Sequence, residues 1–146
     1  MPNHFTTVAI CGPGLEFDCD EFNAKHAKSC LCSVVAPMPE SIQQIPSVMY
    51  PDGTTEKDRL GVDQDWYDWA RDNWGTKWGT YDVEAFPLGG DGSPVAIKFQ
   101  SAWGPPKVLD KIAQWLKRIG GFENVVFVGF DPYDNSVSML DTKGGE

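Results

Sequence analysis

Two short alternating segments constrain this fold more than any other part of the sequence. In 81–86, Tyr81, Val83 and Ala85 fall on one face and Asp82, Glu84 and Phe86 on the other. In 95–100, Val95, Ile97 and Phe99 again share a face. A period of two is the signature of a strand with one side buried. Gly89-Gly90-Asp91-Gly92 lies between the segments, and Pro87 closes the first of them. The pair is therefore expected to form a hairpin.

After that hairpin the period changes. Val108, Leu109, Ile112, Trp115, Leu116 and Ile119 recur at helical spacing, while Lys107, Asp110, Lys111, Lys117 and Arg118 face outward. Pro105-Pro106 stands where a helix begins and Gly120-Gly121 where one ends, so this is the clearest helix of the chain. Segments 125–128 and 136–140, joined through 131–135, then read as a second hairpin.

Upstream of the first hairpin, residues 5–10 are apolar and β-branched and end at Gly12-Pro13-Gly14, as a strand before a turn does. Asp18, Asp20 and Glu21 open a short helix to about residue 27, where they suit the positive end of its dipole. Residues 31–36 read as another strand, stopped by Pro37 and Pro39. From 37 to 64 the chain is rich in proline and glycine, and at most one helical turn is expected there. Trp66, Trp69, Ala70 and Trp74 then mark one face of a helix over 63–75, with Gly75 placed for a left-handed cap.

These elements give an α+β fold, a ferredoxin-like split βαβ plan in which helices cover one face of a mostly antiparallel sheet. The expected organisation is one domain over 1–140, a Trp-rich helical insertion at 37–79 within it, and a fraying tail at 141–146.

Composition limits the function. The 146 residues carry a formal charge of −9, from 21 acidic and 12 basic side chains. Such a surface repels phosphate backbones, which disfavours direct nucleic-acid binding and favours a basic partner. There is no apolar run of membrane-spanning length, and the opening Met1-Pro2-Asn3-His4 lacks the basic stretch and apolar core of a signal peptide, so a cytoplasmic location is expected. Cys11, Cys19, Cys30 and Cys32 all fall in the first quarter of the chain. Disulfides there would leave the rest unbraced, and reduced thiols are the expectation.

Four segments occur in order: Met1-Pro2-Asn3, Pro37-Met38-Pro39-Glu40, Asn73-Trp74-Gly75-Thr76-Lys77-Trp78-Gly79 and Ser101-Ala102-Trp103-Gly104-Pro105-Pro106. Together they resemble the YubB-like family, ferredoxin-like proteins carried by bacteriophages and plasmids. The resemblance runs from Met1 to about Met139. It implies a ferredoxin-like topology and a mobile-element origin, and it brings no established activity, cofactor or catalytic residue. The Cys30-Leu31-Cys32 spacing departs from it.

No nucleophile, base and orienting group occur together in a recognisable motif. The first candidate for binding is the 73–79 loop, where Asn73, Trp74, Lys77 and Trp78, with Trp103, would line an aromatic pocket holding one cation. The same tryptophans at helical spacing equally suit a core that locks the insertion onto the sheet. Asp63, Asp65, Asp68 and Asp72 form an acidic stripe, read as a solvated face before a metal site. Cys30, Cys32, His26 and Cys19 could supply zinc ligands, but their spacing is not that of structural zinc sites, and no metal or cofactor is expected. The resulting expectation is a non-enzymatic phage or mobile-element protein that binds a bacterial host or defence protein through an acidic, aromatic-bearing surface. A protein that binds a small molecule or nucleotide signal through the Trp-rich loop is the alternative.

Overall fold

The computed structural model describes residues 4–13, 17–76, 79–89, 94–102, 104–131 and 135–140. Lys77, Trp78, Trp103, most of the 89–92 turn and the tail from 141 lie outside these residues. Among the described residues, five strands form an antiparallel sheet: β1 (His4–Gly12), β2 (Thr80–Pro87), β3 (Val95–Ala102), β4 (Asn124–Asp131) and β5 (Ser136–Leu140). Their order across the sheet is β2-β3-β1-β4-β5. Both expected hairpins are present, with Ala85 opposite Ile97 in the first and Val128 opposite Met139 in the second.

The helices are α1 (Cys19–His26), α2 (Leu31–Val35), α3 (Glu40–Gln43), α4 (Glu56–Leu60), α5 (Trp66–Asn73) and α6 (Leu109–Gly120). One face of the sheet presents Ala9, Cys11, Val83, Ala85, Val95, Ile97, Phe99, Val125 and Phe127, all buried in one hydrophobic cluster. Phe22 of α1, Leu31 and Cys32 of α2, and Leu109, Ile112, Trp115 and Leu116 of α6 complete that cluster. Burial of this apolar surface is the main driving force holding the helices to the sheet.

Three expectations are corrected. The segment 31–36 is not a strand: Leu31–Val35 form the short helix α2, and Ala36 caps it in a non-helical conformation. Leu31 and Cys32 are buried and Ser33 and Val34 exposed, a helical pattern rather than an alternation. No place beside β1 remained for such a strand, because β3 and β4 already pair with its two edges. The 37–64 stretch holds two short helices, α3 and α4, where at most one turn was expected. A Thr55–Asp58 capping box and left-handed Gly61 close the ends of α4. Finally, α6 starts at Leu109, past Pro105-Pro106, because the Lys107 N–H is donated to the Trp74 carbonyl at 2.6 Å and ties this lead-in to α5.

The insertion is held by its own contacts. Tyr50 donates its hydroxyl to Glu56, Arg59 stacks 3.6 Å from the Tyr50 ring centroid, and the same arginine pairs with Asp52 at 3.2 Å. Lys57 joins α4 to α5 through Asp68 at 2.6 Å.

Candidate functional site

The acidic stripe is largely consumed by structure. Asp65 is 5% exposed and caps α5, its carboxylate accepting the Asp68 N–H at 2.9 Å. Asp68 returns a bond to the Asp65 N–H and receives Lys57, and the Lys57 ammonium holds its pKa below the usual carboxylate range. Asp72 accepts from Gln64 at 2.8 Å and lies 3.7 Å from Arg71. Asp63 is exposed. No group of three or more His, Cys, Asp or Glu among the described residues is placed to hold a metal ion.

Of the aromatic loop, Asn73 is exposed and donates its side-chain amide to the Trp69 carbonyl. Trp74 is 5% exposed, meets Trp69 edge to face, and gives its indole N–H to the Ala36 carbonyl at 2.7 Å. In that position it fastens the insertion to α2, the structural role that its spacing also allowed. The remaining three residues of the expected pocket, Lys77, Trp78 and Trp103, lie outside the described residues.

The other face of the sheet presents a further surface, which none of the sequence motifs includes. Strand register sets three rows across it: Val137, Phe130, Thr6, Gln100, Tyr81; Met139, Val128, Val8, Lys98, Glu84; and Val126, Ile10, Ala96, Phe86. The β4–β5 half is apolar and open, with Val126 43%, Phe130 37%, Val137 65% and Met139 69% exposed. Lys98 and Glu84 are the charged members of these rows, and they lie 3.7 Å apart. A signal was available, since 125–128 is apolar at every position and therefore on both faces.

A second feature lies where α2 meets β2. Cys30, in an extended conformation at φ −101° and ψ 116°, precedes α2, and its Sγ accepts the Thr80 N–H at 3.2 Å. The Thr80 hydroxyl accepts the Leu31 N–H at 2.7 Å and lies 3.8 Å from Cys30 Sγ, to which it donates. A hydrogen bond from the Cys32 thiol is the largest influence on Cys30. Ser33 and Thr80 act in the same direction, and together they draw the Cys30 pKa down to about 5 despite burial. The same hydrogen bond and deep burial push Cys32 up. Neutral solution therefore favours a Cys30 thiolate beside a Cys32 thiol.

No family model, curated protein or solved structure matches the chain.

Proposed function

We propose that the chain is a non-enzymatic accessory protein of a bacteriophage or related mobile element, which docks on a bacterial host or defence protein through the open face of its sheet. The apolar area around Val126, Phe130, Val137 and Met139 carries this reading, because exposed apolar groups gathered on one face commonly mark interaction sites. Phe130, Tyr81 and Phe86 supply aromatic rings to the same face. With a charge of −9 on the chain and a nearly neutral face, the fitting partner offers an apolar patch ringed by basic residues. A host protein that binds nucleic acid has such a rim, and docking would occlude it.

The strand order supports the ferredoxin-like split βαβ plan, since β3 stands between β1 and β2, and β1 between β3 and β4. The YubB-like resemblance supports the mobile-element origin. The test compares the wild-type chain with a Phe130→Lys/Met139→Lys variant as baits in bacterial lysate at low and high salt. Wild type is expected to retain a protein that the folded variant loses and that salt releases. The reading fails if both baits retain the same proteins. It also fails if sedimentation shows a wild-type dimer that the variant abolishes, because a second copy would then occupy the face.

A further inference from the structure

We propose that Cys30 and Cys32 form a thiol pair that exchanges with low-molecular-weight disulfides of the glutathione class, Cys30 as the attacking sulfur and Cys32 as the resolving one. The geometry is specific to the first member. Backbone and side-chain donors of Thr80 converge on Cys30 Sγ, and the Thr80 hydroxyl is oriented for this by the bond it accepts from Leu31. Glycine at 79 makes the approach feasible: at φ +83°, a Cβ there would stand 2.3 Å from Cys30 Sγ. Cys30 is partly exposed and Cys32 fully buried, the order expected for an attacking and a resolving thiol.

The exchange balances without another reactant. Cys30 thiolate attacks one sulfur of the small disulfide, forming a mixed disulfide and expelling a thiolate that takes a proton from solvent. Conversion of Cys30 to a neutral disulfide removes the negative charge that had opposed ionisation of Cys32. Cys32 then loses its proton and attacks Cys30 Sγ, closing the Cys30–Cys32 bond and releasing the second small thiol. The protein's two thiols are oxidised by two electrons, and the small disulfide is reduced to two thiols.

Cys19 provides a control within the same molecule. It is also partly exposed, but burial and then the neighbouring Asp20 and Asp18 push its pKa up. The experiment treats the reduced full chain with oxidised glutathione and follows intact and peptide masses. A transient adduct on Cys30 should give way to an internal Cys30–Cys32 disulfide. In Cys32→Ser the reaction should stop at the Cys30 adduct. Iodoacetamide at about pH 6.5 should label Cys30 at least about tenfold faster than Cys19 in the wild-type protein. Labelling of Cys30 no faster than Cys19, or a stable wild-type adduct that never resolves, overturns the proposal. The rate comparison needs no variant, so it holds even if Cys32→Ser does not fold.

Discussion

Thr7 stands in the central strand with its hydroxyl turned into the buried face, opposite Phe99 on one side and Gly129 on the other. Its Oγ1 is buried without a hydrogen-bond partner among the described residues. A buried hydroxyl that loses water and gains nothing costs free energy, and valine has nearly the same shape without that cost. Thr7→Val is therefore expected to raise stability by about 1 kcal/mol in urea unfolding, with an unchanged denaturant slope. A loss of stability would mean that the hydroxyl has a partner. Such single-residue features are hard to read from sequence, because Thr7 in a β-branched run fits either face of a strand. The site residues were hard for a related reason. The spacing of Trp74 suits a core and a cleft equally, and only the Ala36 carbonyl that receives its indole decides between them. Asp65 and Asp68 were more legible than the stripe reading allowed, since acidic residues three apart before a tryptophan-rich helix have the form of a capping box.

At the scale of elements, β2 is an edge strand, and α1 guards its edge. Asn23 accepts the Ala85 N–H at 2.6 Å and donates to the Ala85 carbonyl at 2.9 Å, so one side chain occupies both backbone groups as a neighbouring strand would. Asn23→Ala should cost about 1–3 kcal/mol in urea unfolding. It should also increase aggregation, read by light scattering. If stability and scattering both stay at wild-type values, the contact does not protect the edge. No sequence pattern reveals this contact, because 62 positions separate the residues. The two hairpins and α6 were legible because their signals are local. The five residues of α2 were not, since so short an apolar run suits a strand or a buried helix equally.

The α4–α5 junction makes a prediction with a definite pH sign. Lys57 lowers the folded-state pKa of Asp68, so the pair's stabilisation is fully present above the unfolded value of about 3.9. It disappears as pH falls through the lower folded value. Asp68→Asn keeps the shape and the capping acceptor but lacks the charge. Wild type should therefore be more stable than Asp68→Asn at pH 7, and the gap should close below about pH 4. An equal gap at pH 7 and pH 3, measured by thermal unfolding, would show that the charge pair contributes nothing.

For the whole molecule, the surplus of acidic side chains gives salt two effects of opposite sign. Within the chain, a net charge of −9 means that repulsion outweighs the five ion pairs among the described residues, four of which have at least one member that is roughly half exposed. Raising monovalent salt from about 10 mM to about 150 mM shortens the screening length from about 30 Å to about 8 Å. The unfolding midpoint should then rise, by about 2–4 °C if the relief is on the order of 1 kcal/mol. Between chain and basic partner the same screening removes attraction, so association should weaken over the same range. The opposition separates two causes that a single binding curve would merge. If salt released the partner by unfolding the chain, the midpoint and the retained protein would fall together. A rising midpoint with a falling yield leaves the contact itself as the salt-sensitive part, and a midpoint that falls with salt would show that local ion pairs outweigh the net charge.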